Sequence, residues 1–501
     1  MGLKKVIFVI FIMISLPSCK KWLDVNHDPN SPETVGIADV LPSGISSISY
    51  VMGGKYQILG AIWSEHWTQS PGASQYSGID DYNINSSSFD NNQFGELYAG
   101  ALKAFEFVKT ESEKQQEWNY YLISNVMQAY IFQILADLYD QIPFSEALLG
   151  DNGIMSPHYE NGQDIYDSLI VRIDNALSKN LDKNNLKNPE ERDLIFNGDM
   201  DQWIKFANTV KLKLYLRQSE ARPDIAKAGI QKLYTEKAEF LTTDAMMLAF
   251  QDITGRRNPL YETEIIFSGG NPNLILSRTL HSFLQSNSDF DRLDRMFNTP
   301  ANGGSHKSLE QGNYHAPGEA ASINGSSYSK PVMRATNPVY LMSSSESYFL
   351  QAEAIIRYNV DSYDKAKLLY ENGIKASYER LLLTDEKAAT FYNGAYKLPS
   401  NGSPAEIIIK SIIVQKWVAL AGIQSLETFF ERNRTHYPET SSVSADNADY
   451  KPGTFTVSVN NVTSGRFPKR LVFPESEISG NPNTPPIQPV WKAIWWDTKP
   501  D

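Results

Sequence analysis

Cysteine is almost absent from this 501-residue sequence, which contains only Cys19. An intramolecular disulfide is therefore impossible, so the burial of side chains must hold the fold together. Long apolar runs are scarce too. The run at residues 6–14 is far shorter than the roughly 20 residues that a membrane-spanning helix requires, and no other stretch is long and apolar enough. We therefore expect everything after Cys19 to lie in water.

The sequence also lacks the motifs of most catalytic and cofactor sites. It has no CxxC pair, no GxGxxG or GxxxxGK[ST] loop, no GxSxG elbow and no HExxH. The seven histidines are scattered, and no two have the spacing of metal ligands on a helix. We therefore predict that the protein is not an enzyme, and we expect neither a cofactor nor a metal site.

Two acidic pairs leave a surface hydrolase open as an alternative. Asp137 and Asp140 share one helix face in this pattern, and so do Glu427 and Glu431. A glycosidase needs two carboxylates about 5 to 9.5 Å apart in space, a distance that spacing along the chain does not give. We favour a structural role for both pairs.

A third acidic group lies in the middle of the chain. Asp289, Asp291 and Asp294 are close enough together to contact a calcium ion. Arg292 and Arg295 interleave with them, however, and this alternation of sign favours a local cluster of salt bridges.

The charge balance excludes one class of partner, and the aromatic content suggests another. A net charge of −12 argues against nucleic acid, whose phosphates would be repelled. Aromatic residues make up 12% of the chain. Tyrosine and tryptophan combine an apolar face with a polar group, so they suit both protein cores and surfaces on which sugars stack.

The N-terminus has the pattern of an export signal. Lysines precede the apolar run 6–14, and a small residue lies directly before Cys19. The segment Leu16-Pro17-Ser18-Cys19 resembles a bacterial lipobox. We predict a signal peptide at 1–18, a lipid on Cys19 and an extended tether at 19–35; a buried thiol is the alternative for Cys19.

Helical periodicity dominates the rest of the chain. Residues 119–139 are apolar on nearly all sides and predict a buried helix. A stripe from Trp203 to Leu214 predicts another helix that begins near Asp199. Residues 162–180 and 405–433 add further helices. We expect Trp203, with Trp417 and Phe429, to lie in the core.

One pair of helices has the pattern of a hairpin. Ser343 and Glu346 have capping-box spacing at the start of the first helix. The second helix follows a break at Asn359-Val360-Asp361, and both helices carry alanines where they would touch. Two such helices joined by a short turn are the unit of helical repeat proteins.

Long irregular segments separate the helices. They cover residues 69–93, 251–332, 435–465 and the tail 474–501, with a short β stretch expected at Thr454–Val459. Irregular segments of this length inside a compact protein are usually functional. The sequence therefore predicts a mostly α scaffold that carries a ligand face made of long loops.

Several strings, taken in order, resemble the SusD/RagB family of outer-membrane lipoproteins. The strings span most of the mature chain: LDVNHDPNSPETV (23–35), AYIFQILADLYDQIPFSEAL (129–148), FNGDMDQWIKFANTVKLKLYLRQ (196–218), SYFLQAEAI (347–355), YENGIKASYE (370–379), QKWVALAGIQSLETFFERNRTHYP (415–438) and RFPKRLVFPESEISGNP (466–482).

The resemblance implies a single SusD-like α-helical domain at 36–501, with tetratricopeptide-like hairpins and an insertion near 251–332. It implies a lipid-anchored position at the outer membrane, facing the extracellular side. There the protein would capture glycans for a SusC-like TonB-dependent transporter. An oligopeptide ligand is an alternative within the family, and a helical-repeat adaptor that binds no ligand is another.

We expect the ligand site in the segment Trp63–Asn92 and in the insertion, because sugars stack on aromatic rings and bond to planar polar groups. A helical core stripe is an equally good explanation of Trp63 and Trp67. The candidate ligand-binding residues are Trp63, Trp67, Gln69, Tyr76, Asp81, Tyr82, Asn83, Arg256, Arg292 and Tyr314.

Overall fold

The computed structural model describes residues 35–181, 186–270, 272–315 and 326–499. The predicted signal peptide, Cys19 and all of the tether except its last residue lie outside these ranges. The described chain is mostly α-helical, as the sequence predicts, and its short strands form two-stranded antiparallel sheets. Within these ranges, no helix has both the length and the apolar character needed to cross a membrane.

The helices run from one end of the described chain to the other. They are α1 (Ile37–Gly53), α2 (Lys55–Trp63), α3 (Ser77–Asp80), α4 (Lys103–Gln115), α5 (Trp118–Tyr139), α6 (Gly162–Leu177), α7 (Met200–Arg217), α8 (Pro223–Thr235), α9 (Pro259–Tyr261), α10 (Arg278–Ser286), α11 (Phe290–Met296), α12 (Ser344–Tyr358), α13 (Tyr363–Arg380), α14 (Asp385–Asn393), α15 (Ala405–Ala419), α16 (Ser425–Thr435) and α17 (Glu475–Gly480). The π-helical segments are Asn91–Leu102 and Glu262–Phe267, and the 3-10 turns are Gly150–Asn152 and Glu190–Arg192.

The strands pair across long stretches of sequence. They are β1 (Trp67–Gln69), β2 (Gln141–Pro143), β3 (Tyr159–Asn161), β4 (Ala245–Met247), β5 (Leu274–Leu276), β6 (Phe297–Asn298), β7 (Lys330–Pro331) and β8 (Val339–Met342). The pairs are β1 with β5, β2 with β3, β4 with β8 and β6 with β7. The β1–β5 pair matters most for the site, because it joins the segment after α2 to the insertion.

Helix α5 lies in the core because its residues are apolar on nearly every face, and almost all of them are buried. Its bounds match the predicted 119–139 to within one residue. Helix α7 begins where the sequence predicts, since the Asp199 side chain accepts hydrogen bonds from the backbone N–H groups of Asp201 and Gln202. The predicted core residues Trp203, Trp417 and Phe429 are all buried.

Helices α12 and α13 form the predicted hairpin, and the left-handed Asn359 ends the first helix. Ala352 and Ala366 are fully buried, as expected of a close contact. The capping box is only half formed. The Ser343 hydroxyl accepts from the Glu346 N–H, but the Ser343 N–H donates to Gln424 Oε1 at 2.9 Å, because the Glu346 carboxylate is held by buried partners instead.

Two segments differ from the prediction: one has more regular secondary structure than expected, and the other has less. The insertion 251–332 is not wholly irregular, since it contains α10, α11 and strands β5–β7. The expected strand Thr454–Val459 is wrong: Phe455 forms one isolated bridge, with Thr440. Two backbone N–H groups of this segment donate to side chains and not to a neighbouring strand. The N–H of Thr456 donates to the Glu65 carboxylate, and the N–H of Ser458 donates to the Tyr82 hydroxyl.

A network of buried charges joins α5, α7, α12, α15 and α16. Its members alternate in sign and are almost entirely inaccessible to solvent: Asp137, Lys213, Arg217, Glu346, Glu353, Lys416, Glu427, Glu431 and Arg434. Charges at this depth persist only when they are paired and hydrogen-bonded. The network therefore ties the helical scaffold together at its centre.

Candidate functional site

The structure brings together the two regions that the sequence assigns to the ligand face. The Tyr76 hydroxyl donates to the Glu264 carboxylate across the gap between the segment after α2 and the insertion. Tyr314 donates to Asp81 Oδ2 at 2.5 Å, which is a second link of the same kind. Because β1 also pairs with β5, the loop 70–93 is held against a rigid support.

An open cleft of about 390 Å³ lies beside this loop. We call it the Tyr76 cleft. Helices α1 and α2 form one wall, the loop 70–93 forms another, and the chain around α9 closes the end. Its lining residues are Tyr50, Val51, Gly54, Lys55, Ile58, Gln75, Tyr76, Gly78, Ile79, Ile84, Ser88, Phe89, Gln93, Pro259 and Thr263.

Aromatic rings and amide groups share the lining of the Tyr76 cleft. Tyr50 is 54% exposed, which makes it the accessible ring at the entrance. Tyr76 and Phe89 also line the cleft, although both are almost completely buried. Gln75 and Gln93 contribute amide groups, each with two donors and an acceptor. This combination of flat rings and planar polar groups suits a ligand with C–H faces and hydroxyl groups.

The only charged residue that lines the described part of the Tyr76 cleft is Lys55. Its ammonium group donates to the Ser88 carbonyl and lies 4.8 Å from the centre of the Phe89 ring. Burial lowers the pKa of Lys55. No carboxylate balances Lys55 among the described lining residues of the cleft.

The wall of the cleft rests on a buried carboxyl group. Burial raises the pKa of Glu264 above its usual range, although hydrogen bonds from Tyr76 and from the Asn273 N–H oppose the shift. Burial also raises the pKa of Tyr76, and the nearby carboxylate raises it further. The phenol of Tyr76 thus stays protonated and donates to Glu264, which fixes the orientation of the ring.

Several predicted ligand residues are buried and do not line the Tyr76 cleft. Trp63 is only 3% exposed; its indole donates to the Ile79 carbonyl at 3.0 Å and its ring packs on Phe429. The side chain of Gln69 is buried and accepts from the Tyr76 N–H at 2.7 Å. Both side chains support the loop, and neither lines the Tyr76 cleft. The core interpretation of the Trp63 stripe is the one that the burial favours.

Asp81, Tyr82 and Asn83 follow α3 in a tight turn. Tyr82 has a left-handed backbone conformation, with φ of 62°. Its side chain is buried and does not line the Tyr76 cleft. Asp81 and Tyr314 are joined to each other by their hydrogen bond and do not line the Tyr76 cleft. Asn83 is exposed, but it also lies outside the cleft. Of the ten predicted ligand residues, Tyr76 alone is among the described residues that line this cleft.

The two predicted arginines lie in different environments, one buried and the other exposed. Arg292 is completely buried: it donates to Asp289 Oδ2 at 2.6 Å, and its guanidinium packs between the rings of Tyr378 and Tyr396. It is therefore a core residue and not a ligand contact. Arg256 is exposed in the loop before α9 and does not line the Tyr76 cleft.

The sequence pattern does not mark the residues of α1 and α2 that line the Tyr76 cleft as ligand-binding residues. Tyr50 and Lys55 flank the junction of these helices, and both look like ordinary helix-surface residues in sequence. The available signal is that Tyr50 is a large aromatic on the polar side of an otherwise apolar helix. Phe89 and Gln93 lie in or next to the loop that the sequence does single out.

The acidic pairs have structural partners. Asp137 accepts from the Tyr166 hydroxyl at 2.5 Å and from the Trp496 indole at 2.8 Å, while Asp140 accepts from the Trp495 N–H at 2.8 Å. Their carboxylates therefore serve different contacts. Glu427 and Glu431 both belong to the buried charge network. The preferred structural interpretation agrees with these contacts.

Within the aspartate group of the insertion, one pair predicted from the sequence forms and the other two aspartates have partners outside the group. Asp289 pairs with Arg292, but Asp291 pairs with Lys387 and Asp294 with His306 at 2.9 Å. The three carboxylates face three different partners. Among the described residues, no group of three acidic, histidine or cysteine side chains converges on a common metal position.

Comparison with known families gives one match. Residues 32–455 match the model of a family described as SusD-like, "Starch-binding associating with outer membrane". This span covers most of the chain and confirms the resemblance seen in the sequence. Among curated proteins, none matches the chain.

Solved structures of SusD homologues share the fold. A SusD homologue from Bacteroides uniformis has a TM-score of 0.73 at 19% identity, covering 92% of this chain and 99% of its own. A chitin-binding SusD homologue from Flavobacterium johnsoniae has a TM-score of 0.71 at 20% identity, with the same coverage. A SusD/RagB family protein from Bacteroides thetaiotaomicron has a TM-score of 0.73 at 22% identity, covering 93% of this chain and 100% of its own. At these identities the comparison shows the fold alone.

Proposed function

This chain belongs to the SusD-like family, and from that premise we propose that it binds a glycan at the outer membrane and passes it to a SusC-like TonB-dependent transporter. The observation that carries the proposal is the lining of the Tyr76 cleft. Its exposed ring and its amide groups match the chemistry of a sugar chain. One relative of the same fold is a chitin-binding protein, which supports a polysaccharide ligand.

The membrane anchor in this proposal is the lipid on Cys19, followed by the tether 19–35. A diacylated or triacylated cysteine would hold the protein at the membrane, since each buried methylene contributes about 0.8 kcal/mol. The described domain would then lie on the extracellular side, where it meets glycans before the transporter does. The family description, which places its members in association with the outer membrane, supports this location.

We propose binding without catalysis. The acidic pairs that left a hydrolase open are engaged in structural contacts, and the Tyr76 cleft has no acidic residue among its described lining residues. A glycosidase needs one carboxyl group that is poised to protonate the leaving oxygen and a second that faces the sugar ring. Incubation with the bound glycan should therefore release no reducing ends.

The test measures glycan binding by the full-length lipoprotein in detergent. Calorimetry with chito-oligosaccharides, malto-oligosaccharides and xylo-oligosaccharides should give binding to at least one class. Tyr50→Ala should weaken that binding about fivefold, because it removes roughly 1 kcal/mol of ring contact at the entrance. Phe107→Ala is the matched control, since Phe107 is 38% exposed on α4 and does not line the cleft.

The alternatives give different results in the same experiment. Binding of oligopeptides but of no glycan would show the peptide-binding branch of the family. Co-purification with the transporter without binding of either class would show a helical-repeat adaptor. Equal glycan affinity in Tyr50→Ala and in the unmodified protein would place the site elsewhere.

A further inference from the structure

A second cleft, of about 190 Å³, shares the α1–α2 junction and the chain around α9 with the Tyr76 cleft but none of its lining residues. We call it the arginine cleft. It opens between the end of α11, the chain from β7 to β8, the end of α13 and the turn that joins α15 to α16. Its lining residues are Gly53, Gln57, Trp67, Asn258, Leu260, Arg295, Met296, Phe297, Pro331, Val332, Met333, Arg334, Asn337, Pro338, Val339, Tyr340, Arg380, Leu381, Leu382, Ala421, Gly422 and Ile423.

Three arginines line this cleft, and no aspartate or glutamate lies among its described lining residues. This composition is unusual in a chain whose net charge is −12. In the ranges 35–181, 186–270, 272–315 and 326–499, no carboxylate lies within the 4.0 Å ion-pair distance of Arg295, Arg334 or Arg380. Elsewhere in the scaffold, buried arginines such as Arg217 and Arg434 are matched by carboxylates.

Arg380 provides a second and independent observation. Its Nη2 donates to the Ala419 carbonyl at 3.0 Å, which anchors the guanidinium at the wall of the cleft. Its Nε is buried and has no hydrogen-bond partner in the described structure. A buried donor without an acceptor is costly, and a carboxylate that enters the cleft would supply one. Burial lowers the pKa of Arg380, but an arginine side chain keeps its charge in proteins.

The other lining residues of the arginine cleft suit a ligand ring that carries the entering carboxylate. An edge of Trp67 lies in the cleft, beside Gly422, where a β-carbon would lie 3.6 Å from the indole. Gln57, Asn258 and Asn337 also line this space; the amide of Gln57 is held by Ser425, and that of Asn258 caps α9. The volume is below the roughly 300–1,000 Å³ of pockets for drug-sized ligands. The cleft therefore fits one residue of a longer chain.

We propose that the arginine cleft binds the carboxylate of an acidic sugar, one uronate residue of an oligosaccharide. The guanidinium fork matches a planar carboxylate through two parallel N–H···O bonds, and a neutral sugar offers no such partner. The proposal rests on the proposed glycan function and deepens it, because it adds a charge-selective subsite. Trp67, which the sequence predicts as a ligand residue, takes part in this subsite rather than in the Tyr76 cleft.

The test titrates the full-length lipoprotein with galacturonate, mannuronate and glucuronate-containing oligosaccharides and with the methyl ester of each. At least one acid should bind about tenfold or more tightly than its ester, and its affinity should fall as salt is raised. Arg334→Gln should weaken the binding of that acid about tenfold. Arg334 is exposed at the rim, so the variant should fold even if Arg380→Gln does not.

Lys227→Gln is the control, because Lys227 is an exposed cation on α8 that lines neither cleft. Equal binding of acid and ester, or an affinity for the acid that Arg334→Gln leaves unchanged, would overturn the proposal. Binding of a peptide carboxylate in place of every uronate would overturn the sugar assignment. If neutral glycans bind in a Tyr50-dependent manner while no uronate binds, the subsite fails and the proposed function stands.

Discussion

Arg217 Nη2 lies 2.8 Å from both carboxylate oxygens of Glu427 and donates to each. The same guanidinium donates from Nη1 to Glu431, and its Nε lies 3.3 Å from Asp137 Oδ2 as an ion pair without hydrogen-bond geometry. Burial would raise the pKa of Glu427, but Arg217, Lys213 and Lys416 outweigh burial and lower it. One residue at the end of α7 thus neutralises carboxylates on two other helices.

Arg217→Met should therefore destabilise the fold by about 3–5 kcal/mol, because it leaves carboxylates buried without their counter-charge. Denaturant titration measures the loss as a lower free energy of unfolding. Arg222→Gln is the matched control: Arg222 pairs with Asp167 near the surface, where such a pair contributes only about 0–1 kcal/mol. Similar losses in the two variants would show that the network contributes no more than a surface ion pair.

Glu65 should make the stability depend on pH near neutrality. Burial raises the pKa of Glu65 to about 8, despite hydrogen bonds from Thr279 and from the Thr456 N–H. Because the folded protein binds this proton more tightly than the unfolded chain, whose carboxyl has its ordinary pKa near 4.5, the free energy of unfolding should fall as the pH rises from about 4.5 to about 8. Outside this window Glu65 contributes no slope.

Glu65→Gln isolates this contribution, since glutamine has nearly the shape of the protonated acid and does not titrate. The variant should gain stability relative to the unmodified protein as the pH rises to 8, by up to a few kcal/mol. Urea titrations at several pH values measure the difference. Glu191→Gln, at an exposed position, should leave the pH profile unchanged. Parallel profiles for Glu65→Gln and the unmodified protein would show that Glu65 is ionised in the folded state.

The scaffold was predictable because its signals are local. The apolar run of α5, the capping aspartate of α7 and the break at Asn359 each follow from a few neighbouring residues. The segment 405–433 shows the limit of such signals. It contains two helices, and the turn between them needs Gly422 in the left-handed conformation, with φ of 78°. Apolar periodicity continues through that turn, so the pattern alone does not divide it.

The ligand residues were harder to predict, because exposure depends on what folds over a side chain. The aromatics after α2 have the composition of a sugar-binding surface, yet Trp63 packs against Phe429 of α16 and Tyr82 lies against Phe467, so both are buried. Tyr50 remains exposed because it lies on the polar face of α1. The arginine cleft draws Arg295, Arg334 and Arg380 from three distant segments, and no spacing rule connects them.

Gly60 should tolerate no side chain. A β-carbon at this position in α2 would lie 2.1 Å from the Leu426 nitrogen, and that backbone belongs to the first turn of α16. Since a backbone atom cannot swing aside as a side chain can, Gly60→Ala should separate the two helices and cost several kcal/mol. Thermal unfolding should show a lower Tm. Gly150→Ala is the control, because nothing lies within 4 Å of its added carbon; equal Tm values for the two variants would contradict the close approach.

Tyr76 and Glu264 link the stability of the ligand face to its affinity. The Tyr76 hydroxyl donates to a carboxyl group that is buried, and the Asn273 N–H donates to the same group at 3.0 Å. Tyr76→Phe keeps the ring in the Tyr76 cleft but removes one donor, so Glu264 loses a partner that favours its charged form. The pKa of Glu264, which burial already raises, should rise further. We expect a loss of about 1–3 kcal/mol of stability at neutral pH.

The effect on glycan affinity should follow from the orientation of the Tyr76 ring. Without its hydrogen bond the ring can turn, so Tyr76→Phe should weaken glycan binding several-fold although the aromatic surface is unchanged. In the double variant Tyr76→Phe with Glu264→Gln no charge remains to be buried, so stability should recover while affinity does not. Calorimetry and denaturant titration of the single and double variants separate the two quantities. Full recovery of affinity together with stability would show that the ring is held by packing alone, and that the hydrogen bond to Glu264 serves only to satisfy the carboxyl group.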